Sequence, residues 1–397
     1  VSGSIAIVGA SLAGLRAAEF LRRDGFQGRL LLIGDETQPP YDRPPLSKEV
    51  LRGDWEADRI ALRRKSYDEL CLDLRLGTRA VGLDSSKRVL SLDSGDELAF
   101  DQLVIATGAS VRRLPKQPDM DGIFSLRTLG DALAIRDAMK ASPRVAVIGA
   151  GFIGAEVAAS ARQLGLQVDM IEALEVPLAQ SLGPELGRAL ASAHEKRGVR
   201  VHCGRKVVGF QGRDRLQGLL LDDGTELPCE LVVVGIGVQP AVDWLAGSGL
   251  ELEDGVRCDA TLSSNVQGIV AIGDVANWYN PLFDEQMRVE HWTNAVEQAR
   301  HVVQTLCRPE EAKPFESAPM FWSDQYDIKI QGAGRPKPTD ELRIMGRLDD
   351  EAFVGLYSRE DRLVGAVSFN NPAKLIQLRR KIVNRASLSE AVELFET

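Results

Sequence analysis

The sequence has few of the residues that would point to thiol or metal chemistry. It holds five cysteines in 397 residues, namely Cys71, Cys203, Cys229, Cys258 and Cys307. They are scattered, odd in number and form no C-x-x-C pair, which excludes a dithiol redox centre and a zinc cage. The four histidines, His194, His202, His291 and His301, show no ligand spacing, so no resident metal is expected. Basic charge is also in deficit: 48 Lys and Arg stand against 57 Asp and Glu, a formal net charge of −9. General nucleic-acid affinity, which requires a basic surface, is therefore excluded. No apolar run is long enough to span a bilayer, and the first strand begins near residue 4, leaving no room for a signal peptide. A cytoplasmic protein is the expectation. The hydrophobic content of 44% is enough for several cores, and the length predicts two or three domains.

Glycine, by contrast, is placed with purpose. The run Ile5-Ala-Ile-Val-Gly9 reads as a buried strand, and Leu15, Ala18 and Leu21 mark one face of the helix that follows. The turn between them nearly matches G-x-G-x-x-G. Gly9 serves the tight turn, Gly14 the close helix–strand packing, and Ser11 stands where the middle glycine is expected. A helix N-terminus in that position faces a pyrophosphate with free N–H groups. The next strand, residues 30–33, leads to Asp35, the acid expected to hold a ribose hydroxyl. A second, complete copy follows: Arg144-Val-Ala-Val-Ile-Gly149-Ala-Gly151-Phe-Ile-Gly154, with Glu172 closing its next strand. Two such units imply two dinucleotides, most simply a flavin and a nicotinamide. Both modules end in strands that run into small residues, Ala106-Thr-Gly108 and Gly235-Ile-Gly237. A late apolar strand delivers Gly273-Asp274, as expected if the first module is interrupted by the second and then completed.

Between these landmarks lies a stiff proline loop, Tyr41-Asp-Arg-Pro-Pro-Leu-Ser-Lys48, leading into a helix for which Ser47 is the expected N-cap. From about residue 315 the pattern changes to alternating strands and a basic helix at residues 372–385. The fold class predicted is α/β: two Rossmann-like dinucleotide-binding domains of the glutathione-reductase type plus a C-terminal α+β domain. The expected limits are 1–112 with 242–315 for FAD, 113–241 for NAD, and 316–397 for the cap.

With these pieces the chain resembles, over essentially its full length, the NADH-dependent ferredoxin reductases of bacterial oxygenase systems. The proline loop and the segment Phe321-Trp-Ser-Asp-Gln-Tyr326 carry most of that resemblance, with Leu126-Arg127-Thr128 and Glu290-His-Trp-Thr-Asn-Ala. The resemblance implies that Gly9, Ala13, Gly14, Asp35, Lys48, Ala80, Arg127, Asp274, Trp292 and Trp322 contact FAD. It assigns Gly149, Gly151, Phe152, Ile153, Gly154, Glu172 and Gly237 to NADH. Lys48 and Glu156 are implied to meet beside the reactive part of the flavin, where Lys48→Ala is expected to slow flavin reduction with little cost in stability. Phe152 is implied to cover the nicotinamide side of the ring.

Electrons would pass from NADH through FAD, one at a time, to a [2Fe–2S] ferredoxin that supplies a monooxygenase or dioxygenase. Glu172, with no arginine following it, implies NADH rather than NADPH. The ferredoxin is expected to dock transiently by charge on a monomeric reductase. Arg63-Arg64-Lys65 and Arg379-Arg380-Lys381 are the candidate basic runs. Two alternatives remain open: a relative that reduces rubredoxin, quinone or dioxygen, and an apoptosis-inducing-factor-like redox sensor.

Overall fold

The computed structural model describes residues 3–141, 144–348, 350 and 352–396. Contacts divide the chain into two compact units. Unit 1 comprises Val1–Asp42, Ala61–Ser110 and Gln239–Phe321; unit 2 comprises Arg43–Ile60, Val111–Val238 and Trp322–Thr397. The proline-loop residues 43–60, read from sequence as part of the first module, thus pack with unit 2, as do the C-terminal strands.

Unit 1 is built on a parallel sheet whose order across the sheet is Ile269–Ala271, Gln102–Ile105, Ser4–Val8, Arg29–Ile33, Asp73–Arg75. The order reverses direction beside Ser4–Val8, which makes the carboxyl end of that strand a switch point where α/β sheets bind ligands. Burial on both faces explains the continuous apolar runs: Ile5, Ala6, Ile7 and Leu30 to Ile33 are almost wholly inaccessible. The helix Leu12–Arg23 packs its buried Leu15, Ala18 and Leu21 inward and meets the helix Trp292–Cys307. The late strand Ile269–Ala271 lies beside Gln102–Ile105, with Ile269 opposite Leu103. A three-stranded antiparallel sheet is formed by Ala80–Asp84, Val89–Leu92 and Glu97–Ala99.

Unit 2 repeats the parallel plan. Its strands order as Val199–Cys203, Gln167–Glu172, Arg144–Ile148, Leu231–Val234, Ile123–Ser125. The helix Phe152–Gln163 follows its fingerprint turn. The C-terminal five-stranded sheet places Met320–Gln325 at one edge, next to Ile328–Gly334, and the helix Pro372–Val383 packs on it through Leu375, Leu378 and Ile382.

This sheet is tied to the helix Ala179–Glu195. Gly183 breaks that helix at φ 73°, ahead of Pro184, and Tyr357 donates its hydroxyl to the Leu182 carbonyl at 2.5 Å. A hydroxyl from the sheet thus satisfies a carbonyl at the break, where the helical ladder is interrupted.

Candidate functional site

Each fingerprint turn is shaped by two glycines that serve packing. A methyl group added at Gly9 would sit 2.1 Å from the Ala106 carbonyl oxygen, and one at Gly14 would sit 2.0 Å from the Gly9 oxygen. In unit 2 the same contacts recur: Gly149 meets the Gly235 oxygen at 2.4 Å and Gly154 the Gly149 oxygen at 1.9 Å. Gly9 and Gly149 also hold positive φ, 118° and 96°. Gly151 differs. It caps the helix Phe152–Gln163, and nothing lies within 4 Å of where its side chain would be. That clearance lets a phosphate approach the helix N-terminus, whose first turn contains no acidic residue. The helix Leu12–Arg23 likewise has no acid in its first turn and Ser11 at its N-cap. Both turns therefore fit a dinucleotide pyrophosphate, and Gly237 at the end of the neighbouring unit 2 strand is also open on its side-chain face.

Of the other unit 1 candidates, Gly273 lies beside Ala13. Gly273, at φ 74°, brings its would-be side chain to 3.2 Å from the Ala13 methyl, and its N–H donates to the Gln298 amide oxygen at 2.7 Å. Asp274 follows in that turn, and its carbonyl accepts from Arg288 at 3.1 Å. Asp35 is exposed just past its strand, available to a ribose. Trp292 donates its indole N–H to Asp42 at 2.7 Å, which fixes the ring plane. Ala80 is buried in the antiparallel sheet opposite Leu92. Arg127 and Trp322 belong to unit 2. Arg127 precedes the capped helix Leu129–Met139, and its carbonyl accepts from Arg43 at 2.6 Å.

In unit 2 the structure brings Lys48 and Glu156 together. The ammonium is 2.8 Å from Glu156 Oε2, and both residues are buried, at 6% and 3% exposure. Ser47 donates to the same oxygen at 2.5 Å. Ser47 is therefore not the helix cap that the sequence led one to expect: the short helix Glu49–Arg52 begins after Lys48, with no side-chain cap. The small serine hydroxyl is drawn instead to the buried carboxylate, which needs donors more than an exposed helix end does. Burial weighs against the expectation that Lys48→Ala is cheap, because removing one member would strand a buried charge.

Glu172 receives two backbone N–H groups, Ala150 at 2.7 Å and Leu174 at 3.0 Å. Each carboxylate oxygen retains acceptor capacity for further donors. Its negative charge stands close enough to Cys203 to help burial push that thiol up to about 11. Burial pushes Cys229 and Cys258 up to about 12, and all five cysteines are free. Cys203, Cys229 and Cys258 are therefore protonated and poorly nucleophilic.

Two glycine-shaped nucleotide cradles and a buried lysine–glutamate pair fit a pyridine-nucleotide-dependent flavoprotein. The chain belongs to the pyridine nucleotide-disulphide oxidoreductase family, whose model matches residues 3–299, and a reductase C-terminal model matches residues 320–394. It is an oxidoreductase that binds FAD and NAD(H).

Its relatives match nearly end to end. The p-cumate 2,3-dioxygenase system ferredoxin–NAD(+) reductase component of Pseudomonas putida is 37% identical, covering 97% of this chain and 94% of that protein. Rhodocoxin reductase of Rhodococcus erythropolis is 35% identical, covering 97% and 91%. Among solved structures, the covalent putidaredoxin reductase–putidaredoxin complex matches at a TM-score of 0.94 and 31% identity, over 100% of this chain and 99% of that one. Among the described residues no helix is long and apolar enough to cross a membrane.

Proposed function

We propose that the protein is an NADH-dependent ferredoxin reductase, a cytoplasmic monomer that supplies electrons to a [2Fe–2S] ferredoxin serving an oxygenase. The observation that carries this reading is the full-length likeness to ferredoxin reductases of oxygenase systems. When bound, FAD accepts a hydride from NADH and releases its electrons singly.

The chain's own residues do the rest. Gly9, Ala13, Gly14, Asp35, Ala80 and Asp274 hold FAD, with Arg127, Trp292 and Trp322. Gly149, Gly151, Phe152, Ile153, Gly154 and Gly237 receive NADH, and Glu172 selects it over NADPH by bonding the ribose and repelling a 2′-phosphate. Lys48 has three N–H donors; Glu156 takes one at 2.8 Å and Ser47 a weaker one at 3.4 Å. The remaining donor is offered to the flavin, whose reduced form gains negative charge. Glu156 keeps that ammonium aimed and compensates its burial. Since no general base is required, no catalytic acid–base dyad is needed.

The test is NADH-driven cytochrome c reduction with and without a [2Fe–2S] ferredoxin, using ferricyanide to confirm flavin turnover. Ferredoxin should stimulate the cytochrome rate severalfold. If no ferredoxin stimulates it while ferricyanide reduction is fast, ferredoxin is not the acceptor.

A further inference from the structure

Glu156 is held from a second side. Its other oxygen, Oε1, accepts from the Ser323 hydroxyl at 2.6 Å. Ser323 in turn accepts from the Gln325 side-chain amide N–H at 3.1 Å. The Gln325 amide oxygen lies 2.9 Å from His194 Nε2, and His194 Nδ1 lies 2.9 Å from the Tyr326 hydroxyl. Ser323, Gln325 and His194 are completely buried.

Chemistry fixes the protons along this chain. An amide oxygen can only accept, so His194 Nε2 carries the hydrogen. Burial holds His194 down to about 4, so the ring is neutral and Nδ1 must accept from Tyr326. Every bond from Tyr326 to the carboxylate therefore points the same way, and each polarises the next. Tyr326 occupies left-handed backbone at φ 59°, where a side chain is strained and glycine would be free. Arg197 lies over its ring, 4.8 Å from the centroid. The ring is thus kept in place despite the backbone cost.

We infer that Ser323, Gln325 and His194 are positioning residues: they fix the rotamer of Glu156 and, through it, the aim of the Lys48 ammonium. The lysine is then set, through Glu156 on the helix Phe152–Gln163, by Ser47, by Ser323 and Gln325, and by His194 on the helix Ala179–Glu195, all residues of unit 2. This rests on the flavin-directed role proposed for Lys48.

The experiment uses the FAD-loaded enzyme with Ser323→Ala, Ser323→Thr and Lys48→Met. Anaerobic stopped-flow gives the rate of flavin reduction and the Kd of NADH, and dye equilibration gives the flavin potential. Ser323→Ala should slow reduction about tenfold, equivalent to about 1.4 kcal/mol. It should leave the NADH Kd within about twofold and move the potential in the same direction as Lys48→Met. Ser323→Thr, which keeps the hydroxyl, should restore both. If Lys48→Met changes rate and potential while Ser323→Ala changes neither, the inference fails and the role of Lys48 stands. If Lys48→Met changes neither, both fall. A second readout needs no variant. Imidazole nitrogen NMR of the unmutated protein should show His194 neutral with its proton on Nε2 at pH 7, and a proton on Nδ1 instead would overturn the chain.

Discussion

Breaking a buried ion pair from one side costs more than the pair contributes, because the surviving charge has lost its compensation. Lys48 and Glu156 meet that condition, at 6% and 3% exposure. Lys48→Met should therefore destabilise the folded enzyme by about 3 kcal/mol, while Lys48→Met with Glu156→Gln should cost clearly less than the two single changes summed. Urea denaturation of the four proteins in the cycle measures this; additive costs would show that the pair is uncoupled. Glu172 poses a different question at the same scale. Glu172→Gln keeps an acceptor for Ala150 or Leu174 but removes the charge. It should narrow an NADH preference of at least about tenfold, worth about 1.4 kcal/mol. Equal kcat/KM for the two coenzymes in the unmutated protein would remove Glu172 from coenzyme choice. Spacing made Gly9, Gly149 and Glu172 legible, because turn geometry demands those residue types. It could not reveal the donors of Glu156, since a serine before a short helix looks like a cap until its partner, 109 positions away, is seen.

At the scale of elements, the helix Ala179–Glu195 meets the C-terminal sheet through a histidine that must stay neutral. His194 is fully buried, its pKa pushed down from 6.5 to about 4 chiefly by burial, with the Gln325 bond opposing and the Arg197 charge adding to the shift. The unfolded chain takes up the proton first as pH falls. The stability owed to His194 is thus whole above about pH 6.5 and lost as pH falls toward about 4, on the order of 3 kcal/mol in all. His194→Gln should flatten that part of the curve when urea midpoints are compared between pH 7 and pH 4.5. Equal pH slopes in the two proteins would mean that His194 does not titrate between its folded and unfolded states. Tyr357→Phe should cost about 1 kcal/mol by leaving the Leu182 carbonyl without its donor. Periodicity foretold the strands and the basic helix at this scale. It could not foretell the break at Gly183, where the Leu182 carbonyl is answered by a sheet far along the chain.

For the whole molecule the question is how an acidic protein would meet a ferredoxin that is itself commonly acidic. The net charge of −9 opposes the encounter at long range, so docking by charge would need a local basic patch to focus the field. In the first basic run Arg63 is committed internally, its side chain 10% exposed between Glu19, Glu69 and the Ser66 carbonyl, while Arg64 and Lys65 are exposed. In the second, Arg380 is exposed and Arg379 and Lys381 are half-buried, but apolar neighbours accompany the cation. On the helix Pro372–Val383, Ile376 and Val383 are 52% and 46% exposed, and Arg380 is exposed on the same face one turn from each. Apolar side chains beside a cation suit a surface that both steers and holds. Ferredoxin reduction should therefore slow as salt rises, while NADH-to-ferricyanide turnover barely changes, because exposed charges are screened within about 10 Å at 0.1 M salt. Replacing Arg379 and Arg380 together by glutamate should raise the apparent KM for ferredoxin severalfold and leave that for NADH alone. Ile376→Ser should weaken binding without altering the salt slope, since it removes contact area and no charge. If the double charge reversal leaves ferredoxin kinetics unchanged at low salt, the docking surface is not on this helix.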